Sequence, residues 1–139
     1  MKLIKEIGDV YGAQSVVACI DFKKNLFGKT QAYFKGGSIK AEQSIFKLAK
    51  QFENIGAGEL LLNDIDKEGT YSGYNQSILK EIVGMVQIPV IISGGAGRNE
   101  DFSEAAANGA SGMAAGSMLI FQRPHNAVLI SYPSNYFYS

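Results

Sequence analysis

The chain is poor in the residues that mark disulfide-bonded or metal-binding proteins. It has one cysteine, one histidine, three prolines and no tryptophan in 139 residues. A single cysteine, Cys19, excludes an internal disulfide framework and a cysteine-rich zinc site, and favours a reducing compartment. No spacing of His, Cys and carboxylate residues indicates a metal site, and no motif indicates a cofactor.

The sequence also lacks a charge excess and a long hydrophobic run. Thirteen basic residues balance thirteen acidic ones, so a general nucleic-acid or anionic-membrane surface is disfavoured. Residues 1–6 lack the apolar region of a signal peptide, and no segment approaches the ~18 apolar residues of a membrane helix. We therefore expect a soluble, cytoplasmic protein that binds neither nucleic acid nor membrane.

Glycine is the residue in excess, with 16 of 139 positions, against a usual share of ~7%. The glycines cluster after apolar runs that predict strands, and each run is followed by a helical pattern. Four strand–helix units of this kind predict a parallel α/β sheet. In the first run both the odd- and the even-numbered positions are apolar, which predicts a strand buried on both faces. Residues 25–37 predict a hairpin-like excursion. The predicted strands are 15–21, 59–64, 88–93 and 112–117, and the predicted helices are 3–11, 41–55, 76–86 and 99–108.

Polar residues stand where these predicted strands end, and α/β folds bind ligands beyond the carboxyl ends of their strands. Asp21 closes the first run, and a carboxylate that ends an apolar strand suits general acid or base catalysis. The alternative is an aspartate that caps the following turn. Cys19 shares the strand parity of Asp21 and is interpreted as a packed small hydrophobe, not a nucleophile. His125 lies outside the strand ends and is expected at the surface.

Two glycine-rich turns follow the last two predicted strands. The turn at 94–97 and the pair Gly116 and Ser117 can each present several backbone N–H groups without interference from Cβ atoms. Two such turns at neighbouring strand ends predict a phosphate site. Taken singly, each turn is better explained by a tight connection between strand and helix.

Four segments in order resemble the cyclase subunit of imidazole glycerol phosphate synthase. They are residues 16–21, 56–74, 92–97 and 114–117. The resemblance covers essentially the whole chain, but only strands five to eight of that family's (β/α)8 barrel. It implies that residues 1–139 form a C-terminal half-barrel with no complete second domain.

The resemblance also implies an activity and a partner. In that family a glutaminase subunit releases ammonia, which joins a bisphosphorylated aminoimidazole-carboxamide ribonucleotide. Cleavage and ring closure then give imidazole glycerol phosphate, for histidine biosynthesis, and a ribonucleotide by-product. By this resemblance Asp21 is one of two catalytic aspartates, and Glu59 belongs to the ring through which ammonia enters. An exposed carboxylate at a strand start explains Glu59 nearly as well. The implied substrate- and phosphate-binding residues are Asn63, Gly69, Thr70, Ser93, Gly94, Gly95, Gly116 and Ser117.

Departures from the family pattern leave alternatives open. Asn63 replaces a usual hydroxyl residue and Glu68 a common aspartate. The second aspartate and the other phosphate site are expected upstream of Met1, so we expect no appreciable cyclase activity from the chain alone. We expect self-association or pairing with an N-terminal half-barrel instead.

Two other functions compete with the cyclase assignment. Residues 121–133 resemble paralogues encoded with surface-polysaccharide genes, which are thought to feed ammonia to a sugar amidotransferase. A non-catalytic phosphate-binding half-barrel is the other reading. A barrel-type phosphosugar isomerase is disfavoured, because the loop with Asp66, Gly69 and Thr70 matches the cyclase family.

Overall fold

A six-stranded mixed sheet with helices packed on one side carries the predicted site. The computed structural model describes residues 2–122, 125, 127, 128 and 130. The sheet order is β3-β2-β1-β4-β5-β6, and β7 and β8 form a separate two-stranded sheet. The helices are α1 (Lys2–Tyr11), α2 (Ile45–Asn54), α3 (Gln76–Val83), α4 (Asn99–Ala107) and α5 (Ser117–Ile120), with a 3-10 turn at Ala13–Ser15. The strands are β1 (Val17–Lys24), β2 (Thr30–Phe34), β3 (Ile39–Lys40), β4 (Glu59–Asp64), β5 (Val90–Ser93), β6 (Gly112–Ala114), β7 (Phe121–Gln122) and β8 (Ala127–Val128).

Four of these strands form the predicted parallel sheet. β1 pairs with β4, β4 with β5 and β5 with β6, all in parallel. In chain order α2, α3, α4 and α5 follow these four strands, as the four strand–helix units predict, and α2, α3 and α4 contribute buried residues to one core. Asn75 begins α3 by accepting a hydrogen bond from the backbone of Ile78 (3.4 Å), and Ser44 begins α2 in the same way through Lys47 (3.3 Å).

The first strand extends beyond its predicted end. β1 continues past Asp21 to Lys24 and pairs antiparallel with β2 over this last stretch, while β2 pairs with β3. The Asn25 side chain closes the connecting turn by accepting from the backbone N–H groups of Phe27 (2.9 Å) and Lys29 (3.0 Å). The predicted excursion at 25–37 is therefore a hairpin that grows directly out of β1.

One face of the sheet forms the core against α2, α3 and α4. Alternate residues of β1, β4 and β5 point toward these helices, as the two-residue period of a strand requires. Each of them is at most 2% exposed: Ile20, Phe22, Leu60, Leu62, Val90 and Ile92. The helices contribute Leu48, Leu79, Ile82 and Ala105 to the same cluster.

The opposite face of the sheet is open. Val17 is 51% exposed, Cys19 is exposed, and Leu61 and Ile91 are only partly buried. The prediction that the first strand is buried on both faces is therefore wrong, as is the prediction of a packed Cys19. The physical reason is that nothing in the described part of the chain covers these odd-numbered positions. No helix among the described residues is long and apolar enough to cross a membrane.

Candidate acid–base centre and phosphate pocket

The pairing register brings the predicted site residues into one row across the sheet. Asp21 of β1 is the register partner of Asn63, Asn63 is the partner of Ser93, and Ser93 is the partner of Ala114. Register partners in parallel strands place their side chains on the same face. The row therefore lies on the open face, at the carboxyl ends of the four parallel strands.

The carboxylate of Asp21 is held by its neighbour in this row. Asn63 Nδ2 donates a hydrogen bond to Asp21 Oδ1 (3.0 Å), and Cys19 Sγ contacts the same oxygen at 3.8 Å. A donor bound to one carboxylate oxygen fixes the orientation of the group, and bonds to an ionised acceptor are the stronger ones. Asp21 is half-buried, so it remains reachable from the open face.

The neighbouring thiol does not have the properties of a nucleophile at neutral pH. Cys19 is exposed as a residue, but partial desolvation of its sulfur, together with the charge and hydrogen bond of Asp21, raises the pKa of the thiol to about 11. The thiolate is the reactive form of cysteine. The raised pKa therefore argues against Cys19 as a nucleophile, and the catalytic role of Asp21 stays a prediction.

A cavity of about 250 Å³ opens beside the row. Six of the eight predicted substrate- and phosphate-binding residues line it, and its size suits a small group and not a whole drug-sized ligand. Glu68 is the one charged residue in the lining of this cavity. An anion bound there would be held by backbone N–H groups and serine hydroxyls. The lining residues are Glu68, Gly69, Ser93, Gly94, Gly95, Ala96, Ala114, Ala115, Gly116, Ser117, Ile120 and Phe121.

Two of the glycines in the lining are required by backbone packing. A Cβ atom on Gly94 would lie 2.3 Å from the carbonyl oxygen of Asp64, and one on Gly95 would lie 2.4 Å from that of Gly73. Both have positive φ angles, of 93° and 101°. The requirement for a tight turn is therefore enough to explain why positions 94 and 95 are glycine. Gly116 differs, because nothing lies within 4 Å of an added Cβ atom there.

The loop between β4 and α3 forms one wall of the cavity and is firmly attached. Lys67 Nζ donates to the carbonyl oxygens of Gly73 (2.8 Å) and Tyr74 (3.2 Å), and the backbone N–H of Gly73 donates to Gly95 (2.7 Å). The Tyr74 hydroxyl donates to the carbonyl oxygen of Ala114 (3.0 Å), and burial raises its pKa. These bonds join the loops that follow β4, β5 and β6 into one frame.

Besides Asp21, three predicted site residues lie outside the cavity lining. Asn63 contacts Asp21 instead. Thr70 is exposed, and its hydroxyl bonds to the carbonyl oxygen of Lys67 and to the hydroxyl of Ser72, each at 2.7 Å. Glu59 stands at the opposite end of the sheet, in register with Val17 and partly exposed. The functional roles of these residues and of those in the lining stay predictions.

Sequence reasoning missed several residues of this end of the sheet. Asp101 is 3% exposed and accepts from the backbone N–H groups of Gly97 (2.8 Å) and Arg98 (3.0 Å), which anchors the glycine turn to α4. The sequence feature that could have identified Asp101 is its position three residues after Arg98 at the start of a helix, where an acidic side chain can cap the helix N-terminus. Ile120 and Phe121 line the cavity although the sequence predicted no site role for them. No group of metal-ligating side chains occurs among the described residues, and His125 is exposed, as expected.

Comparison with known proteins places this geometry in a family context. A family model described as histidine biosynthesis protein matches residues 1–124. The chain is 43% identical over 122 residues to imidazole glycerol phosphate synthase subunit HisF of Pyrobaculum aerophilum, covering 87% of the chain and 47% of that protein. It is 42% identical over 120 residues to the subunit HisF of Endomicrobium trichonymphae, covering 86% and 46%.

A third relative matches a longer part of the chain. This Pseudomonas aeruginosa protein carries the provisional name imidazole glycerol phosphate synthase subunit hisF2, and it is 37% identical over 134 residues. The match covers 96% of the chain and 53% of the relative. The chain thus spans about half the length of the curated relatives it matches.

Proposed function

The chain belongs to the histidine biosynthesis protein family, and from that premise we propose that it supplies the C-terminal half of the cyclase barrel of an imidazole glycerol phosphate synthase. The four parallel strand–helix units agree with part of a (β/α)8 barrel. The observation that carries the proposal is the row from Asp21 through Asn63 and Ser93 to the cavity. This row places a carboxylate and a small anion pocket on one face, at the end of the sheet where such barrels bind substrates.

In the proposed reaction Asp21 acts as the general acid or base contributed by this half. The amide of Asn63 holds one oxygen of the carboxylate and leaves the other for the proton transfer. One phosphate of the bisphosphorylated ribonucleotide would lie in the cavity, held by the N–H groups of the two glycine turns and the hydroxyl of Ser117. This contact keeps the reacting atoms near Asp21 while ammonia adds, the ribonucleotide by-product is cleaved off and the imidazole ring closes.

A second carboxylate is needed for paired acid–base catalysis, since loss of one such group costs 10² to 10⁴ in rate. Asp21 is the one carboxylate that the strands β1, β4, β5 and β6 themselves place on the open face at their carboxyl ends, and Glu68 of the loop after β4 lies in the cavity lining. We therefore propose that the N-terminal half of the barrel contributes the other one, and that a glutaminase subunit delivers ammonia past Glu59. On its own the chain would bind phosphate without catalysing the cyclisation.

The phosphate site is tested by titrating the isotope-labelled chain with inorganic phosphate and following backbone amide signals by NMR. We expect the signals of Gly69, Gly95, Gly116 and Ser117 to shift together and to saturate. Ser117→Ala removes one donor and should weaken binding about fivefold. Ser103→Ala, on the exposed side of α4, should not. Shifts spread over the surface, or confined to other loops, would overturn the proposed site.

The paralogue function remains a second proposal because residues 121–133 resemble the paralogues that are encoded with surface-polysaccharide genes. We propose as the alternative that the assembled barrel passes ammonia to a sugar amidotransferase. Supplying a relative's N-terminal half and glutaminase, and then comparing cyclase turnover with amidation of a keto-sugar nucleotide, separates the two functions.

A further inference from the structure

The hydroxyl of Tyr74 joins two walls of the proposed phosphate cavity that belong to different strands. Tyr74 lies near the end of the loop between β4 and α3, and its hydroxyl donates to the carbonyl oxygen of Ala114 (3.0 Å), the last residue of β6. β5 lies between β4 and β6 in the sheet, so the bond connects elements that are two strand spacings, about 10 Å, apart. Ala114 lines the cavity, whereas Tyr74 does not. The bond therefore reaches the cavity wall from the core side.

The preceding residue, Gly73, connects the same loop to the strand in between. Its backbone N–H donates to the carbonyl oxygen of Gly95 (2.7 Å), and its own carbonyl oxygen accepts from Lys67 Nζ (2.8 Å). Two adjacent residues, Gly73 and Tyr74, thus contact the lining segment after β5 and the lining segment after β6. A change at this pair would move those two segments relative to each other.

Burial restricts the Tyr74 hydroxyl to this role of donor. The residue is 3% exposed, and its ring packs edge-to-face on Phe102 with 6.1 Å between the ring centroids. Burial and the charge of Asp101 raise the pKa of the hydroxyl, so it stays protonated at neutral pH. A buried tyrosine hydroxyl needs an acceptor, and here the acceptor belongs to the cavity wall.

The bond also determines which way the Ala114 carbonyl points. Its oxygen is turned toward Tyr74, a residue outside the lining. Because the peptide unit is planar and trans, the N–H of Ala115 in the same unit points away from Tyr74. A carbonyl oxygen turned into the cavity would repel an anion, and the described lining has no cationic side chain to compensate for it. Holding this oxygen on the core side therefore favours an anion beside Gly116 and Ser117.

We propose that Tyr74 is a positioning residue of the phosphate site. Its hydroxyl holds the Ala114 carbonyl, and this contact keeps residues 115–117 at the distance from Gly69 and from the turn at 94–97 that an anion requires. Tyr74 touches no ligand and acts through Ala114. The inference rests on the proposed phosphate site and adds to it a residue for which the sequence predicted no site role.

The test compares two variants that disturb the same buried region. Tyr74→Phe keeps the ring and removes the hydroxyl, whereas Phe102→Leu removes the ring that packs on Tyr74 and keeps the hydrogen bond. Titration of the isotope-labelled full chain with inorganic phosphate, followed through the amide signals of Gly116 and Ser117, gives the affinity of each variant. We expect Tyr74→Phe to weaken phosphate binding about fivefold and Phe102→Leu to stay within about twofold of the unmodified chain. Phe102→Leu should nevertheless lower the Tm at least as much as Tyr74→Phe, because it leaves a cavity.

A spectroscopic signal reports the bond itself. The carbonyl carbon signal of Ala114 should shift in step with the Ser117 amide as phosphate is added to the unmodified chain, and it should change position in Tyr74→Phe. The unmodified chain alone decides the matter if Tyr74→Phe does not fold, since an Ala114 signal that does not respond to phosphate would overturn the inference.

The remaining outcomes separate this inference from the phosphate site. Unchanged phosphate binding by Tyr74→Phe, or equal losses of affinity in the Tyr74 and Phe102 variants, would overturn the positioning role and leave the phosphate site standing. If the unmodified chain binds no phosphate, the phosphate site and the positioning role are both overturned.

Discussion

Both faces of the sheet carry apolar strand residues, but one face is covered by helices and the other is open. Leu62 of β4 is fully buried under the helices, while Leu61, its neighbour on the other face, is only partly buried. Ile92 and Ile91 of β5 differ in the same way. The helix-covered face holds the fold together. The open face carries the polar row and the largest exposed apolar side chain of the four parallel strands, Val17. An apolar face with a functional row at one end has the character of a surface that a partner covers.

The largest expected effect is a difference in stability between substitutions on the helix-covered face and substitutions on the open face. Leu62→Ala should lower the free energy of unfolding by about 2–5 kcal/mol, because it leaves a cavity under the helices. Leu61→Ala is the matched control and should cost less than about 1 kcal/mol in the monomeric chain, because its side chain is already partly in water. Urea denaturation at low protein concentration measures both values, and equal costs would break the contrast between the faces.

The thiol on the open face provides a pH-dependent contrast. With the pKa of Cys19 raised to about 11, its thiolate fraction at pH 8 should be about 100-fold below that of an unperturbed cysteine. Alkylation by iodoacetamide should therefore be slow in spite of exposure, and it should accelerate as the pH rises toward 11. Asp21→Asn removes the negative charge beside the sulfur and should speed the reaction at pH 8. An unchanged rate in that variant would show that Asp21 does not govern the thiol.

The same contrast between packed and open positions occurs among the glycines of the cavity. Gly94→Ala places a methyl group against the Asp64 carbonyl oxygen at a positive φ and should cost about 1–3 kcal/mol. Gly116→Ala enters open space at a φ of −115° and should leave stability within about 0.5 kcal/mol. Thermal unfolding of the two variants measures the difference. If both tolerate the methyl group equally, the glycine turn at 94–97 is not packed as described.

Much of the fold could be predicted from the sequence because local patterns determine it. The four strand–helix units follow from apolar runs and helical spacing, and α4 begins at Asn99, where its pattern begins. The length of β1 could not be predicted, since its last residues are held by an antiparallel pairing with β2. The exposure of Cys19 was also not predicted. Apolar residues on both faces of a strand show that both faces could be buried, but they do not show whether another element packs against each face.

The sequence predicted which residues lie at the site, but not which of them form hydrogen bonds with each other. Glycine turns and strand-end polar residues identified most of the cavity lining, whereas the bond from Asn63 to Asp21 depends on strand register, which the sequence does not contain. Tyr33 lies twelve residues after Asp21 and reaches it only through the hairpin.

The central claim is that the open face is a surface made to be covered, and the mass of the purified chain in solution tests it most directly. Size-exclusion chromatography with light scattering over a range of concentrations should give twice the 15.0 kDa of one chain, about 30 kDa. Val17→Glu on the open face should shift the mass toward the monomer, while Lys47→Glu on the exposed side of α2 should not. A chain that stays monomeric at every concentration would contradict the account.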